Sequence, residues 1–206
     1  MTPQQFVAKW QQADLSERSA CQQHFLDLCE LLNQPKPAEV DPKGQWYTFE
    51  KGVETTEGGK GFADVWQQGK FGWEYKGKHK DLNAAYDQLL LYREALENPP
   101  LLVVCDMDRL IIHTNFTATV ATTYEIPLAE LATSRNLEII RCVFHEPDKL
   151  RPGVTSAAIT AEAAGHLAEI AIAMRDRKLD PGSVAHFLDR IVFCLFAAWC
   201  FVVRWI

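Results

Sequence analysis

Asp64, Glu74 and Lys76 are the residues whose types and spacing could do chemistry together. They lie in GFADVWQQGKFGWEYK, residues 61–76, which reads as two short strands joined by Gln68-Gly69-Lys70. Successive strand residues face opposite ways, so an antiparallel pair closed by an odd-numbered loop sets residue 64 opposite residue 74. Even positions then carry Asp64, Glu74, Lys76, Lys78 and Lys80 on one face, with Ala63, Val65, Phe71, Trp73 and Tyr75 as the apolar face behind them. Two carboxylates about 5 Å apart on neighbouring strands repel unless a cation sits between them. Hard oxygen ligands suit Mg2+, which keeps several waters and takes substrate phosphate in its remaining positions. Lys76, about 6.6 Å along the strand from Glu74, could orient or deprotonate a water beside the metal. Metal and lysine together describe phosphodiester hydrolysis. The plainer alternative is a solvent-facing hairpin edge decorated with charges.

Something must hold this hairpin in place, and the flanking sequence supplies helices and further strands. Residues 2–33 recur at helical spacing through Phe6, Trp10, Leu15, Cys21, Phe25, Leu28, Cys29 and Leu32, with starts at Thr2-Pro3-Gln4-Gln5 and at Asp14 or Ser16. Pro35, Pro37 and Pro42 mark a connector. After the hairpin, Asp81 stands at an N-cap position, and Leu82, Ala85, Leu89, Tyr92, Arg93 and Leu96 trace one side of a helix that ends before Asn98-Pro99-Pro100. Leu101–Cys105 reads as a strand buried on both faces, and Leu110–Thr114 as its return. Beyond these, a helix is expected at Leu128–Arg135, a strand at Leu137–Val143, and two helices from Thr155 onward and after Pro181-Gly182. His113, alternating with apolar neighbours, reads as a structural histidine.

At 206 residues the chain can bury one sizeable core and carry a helical appendage. Its formal charge of -6 excludes a wholly basic nucleic-acid coat, so DNA contact needs a local patch. Residues 70–80 offer one, with Lys70, Lys76, Lys78, His79 and Lys80 against Glu74. Six cysteines without a C-x-x-C pair read as reduced and structural. No secretory leader opens the chain, and the protein is expected in the cytoplasm with no membrane partner. The apolar run of 13 residues from Ile191 to Val203 falls short of the roughly 20 that a spanning helix needs.

Asp64, nine intervening residues and Glu74-Tyr75-Lys76 match the PD-(D/E)xK nuclease pattern, with Ala63 where that pattern carries proline. The longer string GFADVWQQGKFGWEYKGKHKDLNAAYDQLLLYREALENPPLLVVCDMDRLIIHTNF resembles the N-terminal nuclease region of MmeI-like restriction-modification enzymes, large chains fusing endonuclease, helical spacer, methyltransferase and target recognition. The likeness is dense from Trp46 to Phe116 and weaker in the helices on either side. It implies an α/β (α+β) fold with a restriction-endonuclease-like α-β-β-β-α-β core and helices added at both termini. The expected organisation is an N-terminal helical segment over 1–33, the nuclease core over 34–150, and the start of a helical spacer over 151–206.

The resemblance also assigns roles. Asp64, Glu74 and the backbone carbonyl of Tyr75 would hold Mg2+, for which Mn2+ would substitute, and Glu50 is a further candidate ligand. Asp64, Glu74 and Lys76 would be catalytic. Gln88 and Tyr92, one helical turn apart, resemble the auxiliary Gln-x-x-x-Tyr motif of RecB-like nucleases. Lys70, Lys78, His79 and Lys80 would contact double-stranded DNA. No methyltransferase motif and no S-adenosylmethionine site is recognisable, and Asn98-Pro99-Pro100-Leu101 lacks the aromatic such a motif requires. The family continues into an acidic segment where this sequence has Ala-Trp-Cys-Phe-Val-Val-Arg-Trp-Ile206, which reads as a truncated member. Two alternatives to an active endonuclease follow: a catalytically inert fragment, or an interaction module that self-associates through its C-terminal apolar helix.

Overall fold

Each strand of the central sheet pairs with its neighbours along the chain. The computed structural model describes residues 1–13, 17–54, 59–78, 80–153 and 156–203. Its six strands are β1 (Tyr47–Glu54), β2 (Lys60–Gln67), β3 (Phe71–Tyr75), β4 (Leu101–Cys105), β5 (Arg109–Thr114) and β6 (Thr123–Pro127), in the spatial order β1-β2-β3-β4-β5-β6. All pairs are antiparallel except β3 with β4, which run parallel from Phe71↔Leu101 to Tyr75↔Cys105. A parallel pair needs a crossover, and α4 (Leu82–Tyr92), capped by the Asp81 side chain accepting from the Asn83 N–H, provides it.

The sheet is covered on both faces, and β3 and β4 are buried along their whole length, as the sequence of Leu101–Cys105 predicts. On one side α4 packs Leu82, Ala85 and Leu89 against Ala63, Trp66, Leu102 and Val104. On the other, α1 (Pro3–Gln12), α2 (Glu17–Leu32) and α5 (Ser134–His145) bring Phe6, Trp10, Phe25, Leu28, Ile140 and Phe144 onto Tyr47, Val65, Phe71, Trp73, Tyr75 and Val103. The first helix starts where its sequence says it should. Thr2 and Gln5 form a reciprocal capping box with Pro3 in the first turn. The expected second start, at Asp14 or Ser16, lies outside the described residues. Residues 33–43, read as a connector, include the single helical turn α3 (Pro37–Val40).

The segment after β5 departs from expectation. Leu137–Val143 is helix rather than strand, within α5, whose cap is the Thr133 side chain accepting from the Asn136 N–H. Isoleucine, leucine and valine in that stretch mimic strand composition, yet the buried Ile140, Val143 and Phe144 recur at helical spacing. The helix expected at Leu128–Arg135 shrinks to a 3-10 turn at Leu128–Glu130, and β6 was not foreseen.

Alternation along β2 also breaks. Val65 joins the core under α2, whereas Ala63 joins Trp66 in the core under α4, so the two-residue period slips at Asp64. Across from it, Glu50 of β1 has φ +49°, between the regular pairs Phe49↔Val65 and Lys51↔Ala63. Ala63 therefore does not share the face of Val65, Phe71, Trp73 and Tyr75.

The chain divides into two compact units, Met1–Gly153 and Val154–Ile206. The second consists of α6 (Ser156–Asp176) and α7 (Pro181–Val203). Residues Ala157–Asp176 are long and apolar enough, by length and composition alone, to cross a membrane. In α7, Phe193 is 71% exposed.

Candidate active site

Glu74 sits on a central strand whose neighbours on both sides are paired, which is why a carboxylate there is only 4% exposed. Its Oε1 accepts from Lys76 Nζ at 2.9 Å and from Gln88 Nε2 at 2.8 Å. Lys76 Nζ also donates to Gln88 Oε1 at 3.2 Å, closing a triangle between β3 and α4. Glu74 Oε2 is buried and has no hydrogen-bond partner among the described residues. Burial, and then the negative charge of Asp64, pushes the Glu74 carboxyl up to about 7 against the opposing pull of Lys76. A buried oxygen of this kind is costly unless a cation or donor meets it.

Asp64 reaches this strand from the slip in β2. The regular β2–β3 pairing ends at Val65↔Trp73, and beyond it Asp64 Oδ2 accepts the Tyr75 N–H at 2.7 Å. A side chain thus takes over a ladder position. Asp64 and Glu50 line one narrow crevice together with Cys21 and Gln22 of α2. Glu50 is exposed and lies mid-strand, in a left-handed conformation that is uncommon for a residue of its type.

The other candidates scatter. Tyr92, one turn along α4 from Gln88, lies against Gly61, where a Cβ would stand 2.1 Å from its hydroxyl. Lys78 does not continue the Glu74 face, because β3 ends at Tyr75. Its Nζ pairs with Asp108 at 3.4 Å and donates to the Trp10 carbonyl at 3.5 Å. Lys70, at the opposite end of β3, turns its amine onto the Phe144 carbonyl, and burial lowers its pKa. Lys80 is exposed, and His79 lies outside the described residues. His113 stacks on Tyr86 with ring centroids 3.8 Å apart.

One contact near the site was not anticipated from sequence. His24 of α2 is buried, and its Nδ1 lies 2.8 Å from the Tyr75 hydroxyl. The available signal was a polar residue set four positions from Ala20 and from Leu28 on an apolar helix face.

Among the described residues, no three His, Cys, Asp or Glu side chains cluster as a metal site would. Two carboxylates and a main-chain carbonyl still fit Mg2+, which is commonly held by one or two carboxylates with water completing its shell. The orphaned Glu74 Oε2 beside Asp64 is what such an ion would satisfy.

The family described as MmeI, N-terminal domain, matches residues 1–177. Among solved structures, the chain is similar to one in the cryoEM structure of a DrdV-DNA complex, at 14% sequence identity and a TM-score of 0.36. That similarity covers 69% of this chain and 14% of the other, so this chain spans a small part of that protein's length. No curated protein matches.

Proposed function

Since the chain belongs to the MmeI N-terminal domain family, a nuclease-type domain of restriction-modification enzymes, we propose that it hydrolyses DNA phosphodiester bonds with Mg2+ held between Asp64 and Glu74. The observation that carries this reading is Glu74, buried on a central strand with one oxygen fixed by Lys76 and Gln88 and the other, beside Asp64, without a hydrogen-bond partner among the described residues.

Asp64, Glu74 and the Tyr75 carbonyl would hold the ion, with Glu50 as the remaining acid of the same crevice. Bound there, Mg2+ or Mn2+ would lower the pKa of a water and neutralise charge at the phosphate. The protein's part is to hold two acids aligned. Lys76 opposes the rise in the Glu74 pKa and, tethered by Gln88, carries its amine to the edge of the carboxylate pair, where it orients the attacking water. Gln88 fixes both partners through one amide, donating to Glu74 and accepting from Lys76. Lys80, exposed just beyond, is the lysine best placed to meet a DNA phosphate.

Calorimetric titration of Mn2+ alongside plasmid cleavage tests this reading. Asp64→Ala is expected to lose both metal binding and cutting, and Lys76→Ala to keep the metal and lose only cutting. Cutting should stop with chelator. A wild-type protein that binds no divalent ion at millimolar concentration with DNA present would favour the inert-fragment or interaction-module alternative.

A further inference from the structure

Tyr75 has a different structural role at each end. Its main-chain N–H, between Glu74 and Lys76 in sequence, donates to Asp64 Oδ2 at 2.7 Å. Its side chain is fully buried on the opposite face of the sheet, and its hydroxyl meets His24 Nδ1 at 2.8 Å. His24 is itself clamped, with edge-on contacts to Phe6 at 5.2 Å and Trp10 at 4.8 Å between centroids.

The regular β2–β3 pairing stops at Val65↔Trp73, so the bond from the Tyr75 N–H to Asp64 is what joins the end of β3 to β2 at the candidate site. How far that end rises toward Asp64 depends on what holds Tyr75 from behind. β4 holds it laterally, through Tyr75↔Cys105 and the Lys76 N–H to the Cys105 carbonyl at 2.9 Å. Perpendicular to the sheet, the polar anchor is His24.

We propose that His24 is a positioning residue for the candidate site: through the Tyr75 hydroxyl it sets the height of the Tyr75 amide and hence the placement of Asp64 relative to Glu74. The inference rests on the nuclease reading for its purpose, although the coupling itself needs no metal. A buried aromatic pair of this kind would otherwise serve packing alone. What distinguishes it is that the far end of the same residue carries the donor for Asp64.

Tyr75→Phe removes only the hydroxyl and keeps the ring, so it tests the coupling with little risk to folding. In the metal-free protein, amide exchange by NMR should show protection at residue 75 falling about fivefold to tenfold, the loss expected for one hydrogen bond. Val103 and Ile112, in the same sheet, should keep theirs. Mn2+ affinity should weaken by a similar factor, and His24→Gln, which retains a hydrogen-bonding group, should fall between wild type and Tyr75→Phe. Unchanged protection at residue 75, or an even loss across the sheet, would overturn the positioning role. Loss of protection at residue 75 in a protein whose wild type binds no Mn2+ would sustain the coupling and overturn the nuclease reading instead.

Discussion

Lys78 and Lys80 are two residues apart in the sequence and have different surroundings. The Lys78 amine is committed to Asp108 and to the Trp10 carbonyl, whereas Lys80 is exposed beyond the end of β3. If each phosphate contact by lysine contributes about 0.9 to the slope of log K against log salt on duplex DNA, Lys80→Ala should lower that slope by about 0.9. Lys78→Ala should leave it nearly unchanged and reduce the melting temperature instead, because it breaks a half-buried ion pair between two segments. Equal slopes for the two variants, measured by titration at several salt concentrations, would contradict this division. Sequence spacing was informative for Asp64, Glu74, Lys76 and Gln88, since the first three sit on one hairpin and the last on the helix it feeds. It placed Lys78 on the face of Glu74 and did not foresee its partners, because Asp108 and Trp10 reach that lysine from about 30 residues downstream and 68 upstream. The pairing of His24 with Tyr75 was hidden for the same reason, across a separation of 51 residues.

Between elements, the approach of α4 to β2 is close enough to be tested by a single methyl group. A Cβ at Gly61 would stand 2.1 Å from the Tyr92 hydroxyl and 2.6 Å from Cζ. Gly61→Ala should therefore destabilise the protein by about 1–3 kcal/mol through overpacking. Because Tyr92→Ala removes the clashing ring, the double variant should be less destabilised than the sum of the two single ones, as urea denaturation would measure. Additive losses would mean that Gly61 is needed for some other reason. Just past the C-terminal end of α4, the Trp66 indole N–H donates to the Leu96 carbonyl at 2.9 Å, while the Lys51 amine lies 3.8 Å above the Trp66 ring. The hairpin, the crossover helix and the two strands after it were readable because turn residues and periodicity change sharply at their borders. The slip at Asp64 was not, since period two assumes uniform backbone angles and Glu50 departs from them at φ +49°. Leu137–Val143, expected as a strand, is helix within α5, its helical period masked in the sequence by β-branched residues.

For the whole molecule, His24 makes folding sensitive to acid. Burial, reinforced by Lys9 and opposed by Asp27, lowers its pKa from 6.5 to about 3. Below pH 6.5 the unfolded chain takes up a proton that the folded protein refuses, so stability is full above that value and falls as pH drops toward 3. The slope should reach at most about 1.4 kcal/mol per pH unit. Glu74 works in the opposite sense between about 7 and 4.5, because its folded carboxyl binds a proton more readily than the unfolded one. Comparing wild type with His24→Gln by denaturation at several pH values separates the two. The difference in stability should narrow as pH falls through 6.5 to 4, and a constant difference would refute the assignment.

The sheet's order, which follows the chain strand by strand, bears on how the protein is made. No later strand must be inserted between two earlier ones. The largest gap between paired strands is the crossover from Tyr75 to Leu101. Asp64, Glu74, Lys76 and Gln88 all leave the ribosome before β4 does, so docking of β4 onto β3 is the event that pairs the open edge of β3 beside them during synthesis. A nascent chain released as far as Thr114 already carries Glu50, Asp64, Glu74, Lys76 and Gln88.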